Sequence, residues 1–200
     1  MLKLFVTGFA LAVSAGAFAD ARQALDRFAD GLDTLSGSFS QVTLEPDGSV
    51  LEENSGELFY AQPDRFRWRY SEPFPQELVA DGEQLWHYDE SLEQVTVRDQ
   101  PPAGESTLLV LTRPELLDRF YSIEAGDAAD QLRFRPLHED AEFEQATLFM
   151  RDDQPVRLEL VDRFDQLTRL ELHDLVRNPD LDDAMFEFSP PEGVDVLEGY

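Results

Sequence analysis

Three histidines are the residues of this 200-residue sequence best suited to metal binding or acid–base chemistry. His87, His138 and His173 lie on separate segments, and none belongs to an HExxH pattern or another short metal-binding motif. Glu139 and Asp140 follow His138, but a chain with 42 acidic residues produces such neighbours by chance. The sequence therefore predicts neither a metal site nor a cofactor.

Catalytic motifs of the common enzyme classes do not occur in the sequence. It contains no GxSxG, no Walker phosphate loop and no GxGxxG. It contains no cysteine, which excludes disulfide bonds and thiolate chemistry. Carboxylate pairs serve glycosidases, but the acidic residues here are spread over polar faces and turns. We therefore predict that the protein is not an enzyme, and a glycoside hydrolase with a dispersed acidic site is the alternative from that class.

Large aromatic residues in the middle of the chain suit apolar binding rather than catalysis. Phe66, Trp68 and Tyr70 alternate with arginines, so the rings share one face of a strand and the guanidinium groups share the other. A later strand brings a second aromatic pair, Trp86 and Tyr88. Alternation of this kind most often marks a packed core, which is the plainer interpretation.

Two features favour a binding cavity over a packed core at these aromatic residues. Trp and Tyr carry polar groups that a dry core must satisfy with hydrogen bonds. In addition, the segment Leu108–Leu111 is apolar nearly all round, which a surface helix does not tolerate unless it covers something. We therefore predict a hydrophobic cavity that is lined by the aromatic face and closed by a helical lid.

The elements that would position this cavity follow from periodicity along the chain. Apolar residues at three- and four-residue steps predict an amphipathic helix over residues 20–35, with Asp20 and Gln23 as a capping box. Further elements are predicted as a hairpin over 36–61 with a bulge at Gly56, four strands within 63–97, two short helices within 106–120, hairpins over 121–176, a helical turn within 178–186 and a last strand at 186–189. We count about ten or eleven strands in one antiparallel meander, which makes a mainly β (α+β) domain.

The N-terminus has the pattern of a secretory signal peptide. Lys3 precedes an apolar run over residues 4–13, and Ala17-Phe18-Ala19 supplies the small-x-small pattern of a cleavage site. The apolar run is too short to span a bilayer, and no later run approaches ~20 apolar residues. We therefore predict a signal peptide over residues 1–19 that is cleaved after Ala19, one exported domain over residues 20–200, and no stable membrane insertion.

Acidic residues outnumber basic residues by a wide margin. The chain has 16 basic and 42 acidic residues, and its only lysine, Lys3, lies in the predicted signal peptide. Since Lys and Arg neutralise phosphates, this balance disfavours nucleic acids and anionic membrane surfaces as partners. It also suggests a saline habitat, where salt screens the self-repulsion of the folded state.

Several blocks of the sequence, taken together, resemble a known family. They are SGSFSQ after the first predicted helix, FRWRY preceded by Pro63, ELVADGEQLWHYDESLEQVTV, and FEFSPPEGVDV near the C-terminus. In this order, behind a signal peptide, they are similar to the periplasmic outer-membrane lipoprotein carrier family, LolA. The resemblance extends over residues 20–196, although none of the blocks is a catalytic signature.

The LolA resemblance implies a fold and a function. The implied fold is an unclosed antiparallel β-barrel of about 11 strands, with a lid of short α-helices over a hydrophobic cavity. The implied function is that of a monomeric periplasmic carrier, which binds the acyl chains of lipoproteins released from the inner membrane by the ABC transporter LolCDE. It then delivers them to the outer-membrane receptor LolB.

The alternative within this fold is another protein that binds acyl lipids or other hydrophobic ligands, either LolB-like or sensory. A LolB-like protein would carry a lipidated N-terminal cysteine, and this chain has no cysteine. Sensory relatives would carry an additional domain.

The aromatic pattern and the resemblance together define the predicted site. The predicted cavity residues are Phe66, Trp68, Tyr70, Leu78, Trp86, Tyr88, Leu32, Leu35 and Phe39, and the predicted lid residues are Leu25, Ala29, Leu108 and Leu111. Just before the proline that opens the aromatic strand, where the family has an arginine that hydrogen-bonds the lid shut, this chain has Gln62. Because glutamine offers fewer donors and no charge, we predict a latch made by Gln62, with Arg65 as the other candidate.

Overall fold

One large β-sheet and two α-helices dominate the part of the chain that the structure describes. The computed structural model describes residues 13–100, 112–138, 141 and 143–199, and of residues 13–19 it describes only the backbone. The helices are α1 (Val13–Ala29) and α2 (Pro114–Phe120), and a 3-10 helix covers Asp183–Phe186. The strands are β1 (Thr34–Leu44), β2 (Val50–Ala61), β3 (Arg65–Glu72), β4 (Gln76–Ala80), β5 (Gln84–Asp89), β6 (Gln94–Asp99), β7 (Tyr121–Ala125), β8 (Gln131–Pro136), β9 (Gln145–Arg151), β10 (Gln154–Val161), β11 (Leu167–Arg177) and β12 (Asp195–Glu198). Within these residues, no helix has the length and apolar character needed to cross a membrane.

The twelve strands form one open sheet. Their order is β12-β6-β5-β4-β3-β2-β1-β11-β10-β9-β8-β7. Neighbouring strands are antiparallel except for β12, which pairs with β6 in parallel. The edge strands β7 and β12 do not pair with each other, so the sheet is unclosed. The predicted mainly β fold, an unclosed sheet of about 11 antiparallel strands, is confirmed.

Helix α1 ends earlier than predicted. It stops at Ala29, and Gly31 follows with a φ of +63°, the left-handed conformation in which helices commonly end at glycine. Leu32 and Leu35, which were predicted on this helix, therefore lie in the following loop and in β1. At its other end α1 runs continuously through Asp20, so the predicted capping box does not begin the helix in this structure.

The C-terminal segment also differs from its prediction. The strand predicted at residues 186–189 is wrong, because Phe186 ends the 3-10 helix. The next residues include Pro190 and Pro191, which lack the N–H groups that a sheet ladder needs. The chain instead turns at Gly193, which has a φ of +88°, and only then pairs with β6 as β12.

The sheet has two faces with different coverings. Helix α1 packs over β7–β10 on one face, the inner face, and α2 packs against α1 and β7. On the opposite face, the outer face, residues 183–188 contact β3 and β5. The largest fully buried side chains of the inner-face core are Leu25, Phe28, Leu32, Leu35, Phe39, Leu58, Leu117, Leu132 and Phe134.

Turns of an antiparallel sheet alternate between its two ends. The turns after β1, β3 and β5 lie at one end, which we call the upper end. The turns after β2 and β4 lie at the lower end, together with the loop that joins α1 to β1.

Candidate functional site

Strand β3 presents its aromatic side chains to the inner face of the sheet. Trp68 lies opposite Leu58 of β2 and Leu78 of β4. Phe66 and Tyr70, two positions away on either side, share that face. The three rings pack against the inner-face core, yet they and Leu78 are only half-buried. Together these side chains form a partly uncovered apolar surface, which we call the aromatic patch: Phe39, Phe66, Trp68, Tyr70 and Leu78.

Phe39 of β1 joins the rings of the patch. Its ring centroid lies 4.6 Å from that of Trp68 and 5.3 Å from that of Tyr70. Gly56 of β2 leaves the space for this contact, since a β-carbon there would lie 2.9 Å from Phe39 Cζ and 1.9 Å from the carbonyl oxygen of Arg69. The pairing of β2 with β3 shifts register at this glycine, which confirms the bulge that was predicted there.

Polar groups border the patch on its upper side. The indole N–H of Trp68 is buried and has no hydrogen-bond partner of good geometry among the described residues. The nearby Tyr70 hydroxyl donates to Gln41 Oε1 at 3.5 Å, which is long for a hydrogen bond. Burial raises the pKa of Tyr70 to about 12, an effect that the neighbouring Trp68 N–H opposes and the charge of Glu52 reinforces.

Trp86 and Tyr88 do not belong to this surface, which corrects their predicted place in the cavity. Trp86 lies opposite Val79 of β4, one position away from the inner-face residue Leu78. Facing residues of an antiparallel pair share a face, and successive residues of a strand point to opposite faces. Trp86 and Tyr88 therefore lie on the outer face, where their ring centroids are 5.6 and 6.0 Å from that of Phe188.

The other predicted cavity and lid residues fall into three groups. Three of them are fully buried in the inner-face core and stabilise it beside the patch: Leu25, Leu32 and Leu35. Ala29 is half-buried at the end of α1. Leu108 and Leu111 lie outside the described residues.

Gln62 links the turn after β2 to the loop after α1. Its side-chain Nε2 donates to the carbonyl oxygen of Leu32 at 2.5 Å. Its backbone N–H donates to the carbonyl oxygen of Asp33 at 2.9 Å. The predicted latch residue thus holds the loop after α1 against the lower end of the sheet.

Arg65 lies on the outer face, which contradicts its prediction as a latch. Its guanidinium donates to Asp183 Oδ1 at 2.8 Å and lies 5.1 Å from the ring centroid of Phe186. Because the arginines of β3 alternate with the patch aromatics, Arg65 is directed away from the helices on the inner face.

Arg113, and not Arg65, ties the helical side of the protein to the turn after β2. The sequence pattern alone did not single this arginine out. Its guanidinium donates to the carbonyl oxygen of Pro63 at 3.2 Å and to Asp64 Oδ1 at 3.1 Å. It also donates to Glu115 Oε1 at 2.7 Å, and this bond, more than the others, raises the pKa of Arg113. From the other side, Arg22 of α1 donates to the first carbonyl of α2 at 3.0 Å. Helix α2 is therefore tied to both α1 and the turn after β2.

Histidine and carboxylate side chains do not gather at a metal site in the described residues. No group of three or more potential ligands lies close together there. His87 contacts Gln76 Oε1 at 3.2 Å, and His173 contacts Ser40 Oγ at 3.1 Å. Each is an ordinary hydrogen bond between side chains of neighbouring strands.

Comparison with known proteins places the chain in a family. The family model described as outer membrane lipoprotein carrier protein LolA matches residues 30–189. This chain belongs to the LolA family. An outer-membrane lipoprotein carrier protein from Halorhodospira halophila is 43% identical over 176 residues, which cover 88% of this chain and 85% of that protein. Another from Alkalilimnicola ehrlichii is 46% identical over 182 residues, which cover 88% of this chain and 83% of that protein.

A solved structure supports the fold independently of close sequence similarity. An uncharacterized conserved protein from Thermus thermophilus superposes with a TM-score of 0.56 at 16% identity, over 90% of this chain and 99% of that one. The residues that the LolA family model matches include the whole aromatic patch. They also include Gln62 in the turn after β2 and Arg113, which bonds that turn.

Proposed function

We propose that this chain is a periplasmic carrier that binds the acyl chains of lipoproteins and shields them from water on the way to the outer membrane. The observation that carries the proposal is the aromatic patch, a half-buried apolar surface on the inner face of a LolA-family sheet. Rings and aliphatic side chains without formal charge suit hydrocarbon chains. The relatives are named outer-membrane lipoprotein carrier proteins, which agrees with this choice of ligand.

The physical need for such a carrier is large. A triacylated lipoprotein exposes ~45 methylene groups at ~0.8 kcal/mol each, so its acyl chains resist transfer into water by tens of kcal/mol. A carrier must offset much of this cost and still release its cargo. Partly exposed rings meet both requirements, because they can contact the acyl chains without enclosing them permanently.

The proposal includes two partners and a direction of transfer. LolCDE would load the carrier at the expense of ATP hydrolysis, and LolB would unload it through a higher affinity for the same acyl chains. The excess of acidic residues disfavours direct contact with an anionic bilayer, which supports delivery to a protein receptor. The mature chain would act as a monomer after removal of residues 1–19, without a cofactor or a catalytic residue.

Copurification tests the proposal. We expect triacylated lipoproteins to be detected by mass spectrometry with the mature protein purified from periplasm, and we expect the protein to release lipoproteins from spheroplasts. Trp68→Ala should reduce both, whereas Trp86→Ala, the matched change on the outer face, should leave both unchanged per folded molecule. If the wild-type protein neither copurifies with lipoproteins nor releases them, the carrier proposal is rejected.

A further inference from the structure

The inner face changes from apolar to polar toward the upper end on four neighbouring strands. The change lies one residue pair higher on β1 than on β4, because Phe39 is level with Tyr70 and Gln76. Toward the lower end the face carries Leu35, Leu58, Phe66, Leu78 and Ala80. Toward the upper end it carries Gln41, Asn54, Tyr70 and Gln76. An occupant of this face therefore meets hydrocarbon on one side of a boundary and polar groups on the other.

Hydrogen-bond donors without good partners lie at this boundary. The buried Trp68 N–H lies close enough to the Tyr70 oxygen to oppose the rise in the pKa of that hydroxyl. It makes no hydrogen bond of good geometry among the described residues, and a buried donor of this kind is uncommon in folded proteins. The Tyr70 O–H has its long contact with Gln41. Because both groups are donors, the ligand group that would satisfy them is an acceptor oxygen.

We propose that Trp68 and Tyr70, with Gln41 beside the Tyr70 hydroxyl, form a subsite for the carbonyl oxygen of an acyl ester or acyl amide. This inference rests on the proposed acyl-chain function and specifies where the polar head of each bound chain lies. An acyl ester or amide joins a hydrocarbon tail directly to a carbonyl acceptor, which matches the order of groups on the inner face. The tail extends toward Phe66 and Leu35, and the carbonyl lies beside the indole N–H and the phenol O–H.

Charge at the subsite favours a neutral head over an ionised fatty acid. Glu52 lies close enough for its charge to raise the pKa of Tyr70. Asp89 lies opposite Gln76 on the same polar half of the face. Glu52 near Tyr70, and more weakly Asp89 two strands away, repel a fatty-acid carboxylate but leave an ester or amide carbonyl unaffected.

Displacement of the neutral fluorescent probe N-phenyl-1-naphthylamine from the mature protein tests the subsite. The competing ligands are methyl laurate, N-methyl lauramide, laurate and tridecane at pH 7.5, so that ester, amide, carboxylate and plain hydrocarbon are compared at similar length. Tyr70→Phe should weaken ester and amide binding about fivefold, which corresponds to one neutral hydrogen bond, and should leave tridecane unchanged. Laurate should bind about tenfold more weakly than methyl laurate. Tyr88→Phe, the same change on the outer face, should alter none of these affinities.

The outcomes separate the subsite from the proposed function. If Tyr70→Phe weakens the ester and tridecane equally, or weakens neither, the subsite is overturned while acyl-chain binding stands. If no ligand displaces the probe from the wild-type protein, acyl-chain binding itself is rejected. Trp68→Phe provides a second variant, which removes the indole N–H and keeps an aromatic ring, and the same selective loss of ester and amide binding is expected of it should Tyr70→Phe not fold.

Discussion

Gly56→Ala should displace the aromatic patch from its place on the sheet. The added methyl group would lie 1.9 Å from the carbonyl oxygen of Arg69 and 2.9 Å from Phe39 Cζ. Close carbon–oxygen contacts between strands are ~3.3 Å or longer, so β2 and β3 must separate by about 1.4 Å at the bulge. The carbonyl belongs to the backbone and cannot rotate away alone, and Phe39 is only 2% exposed, so its ring has little room to move.

The expected loss of stability follows from these contacts. Overpacking a buried site costs ~1–3 kcal/mol, and contact with backbone places this change near about 3 kcal/mol. In a domain of this size each kcal/mol lowers the unfolding midpoint by ~2–4 °C, so a decrease of about 6–12 °C is expected. Because Phe39 touches Trp68, the tryptophan emission spectrum of the folded protein should also change.

Thermal unfolding followed by circular dichroism measures the first effect, and fluorescence measures the second. Gly37→Ala is the matched control in β1, where the new methyl group would lie 2.5 Å from Leu175 Cδ2 and 3.1 Å from the carbonyl oxygen of His173. The leucine side chain can rotate away and the backbone contact is short by only about 0.2 Å, so this variant should lose only about 1 kcal/mol. The steric reasoning is refuted if Gly56→Ala unfolds at the wild-type temperature, or if Gly37→Ala is the more damaging change.

Four further predictions concern the lid side, pH and salt. Arg113→Gln removes the charged bond to the turn after β2, so amide hydrogen exchange in α2 should accelerate about tenfold; unchanged exchange would show that the bond does not hold α2. Gln62→Arg adds donors and charge beside the α1–β1 loop and should slow cargo release, and an unchanged rate of transfer to LolB would reject this. The pKa of Tyr70 is raised to about 12 in the folded state against ~10 in the unfolded chain. The corresponding stability is fully present below pH 10 and should be lost between pH 10 and 12, by up to ~3 kcal/mol. Denaturant titrations should show this loss in the wild-type protein and a smaller loss in Tyr70→Phe; identical profiles would contradict it. Added NaCl should raise the unfolding midpoint of this chain by screening its acidic surface, and a midpoint independent of salt would argue against a saline habitat.

Local patterns predicted much of the fold, and their failures have identifiable causes. The bulge at Gly56 and the four strands within residues 63–97 follow from turn residues and alternation, both of which are local. The predicted helix ran on to Leu35 because Leu32 and Leu35 continue a helical spacing. Gly31 ended it, since glycine adopts a left-handed conformation at little cost; that stop signal was present in the sequence and was outweighed by the spacing.

The aromatic pair of β5 shows why part of the site could not be predicted. Both alternating sets of β5 contain apolar residues, Leu85 on one face and Trp86 with Tyr88 on the other. A one-residue change of register moves a whole set to the opposite face, and size alone favoured burying the larger rings under the lid. The structure instead places them on the outer face, because Phe188 of the C-terminal segment covers them there.

The sequence by itself determined the strand-rich architecture, the alternation of aromatic residues and arginines along β3, and the excess of acidic residues. Each depends on residue types and on spacing within one segment, which needs no knowledge of distant contacts. Only the tertiary structure decided which aromatic residues share the inner face, that Arg65 pairs with Asp183, and that Arg113 returns to Pro63. These contacts join residues 118 and 50 positions apart, and they depend on strand register and on where the C-terminal segment and α2 pack.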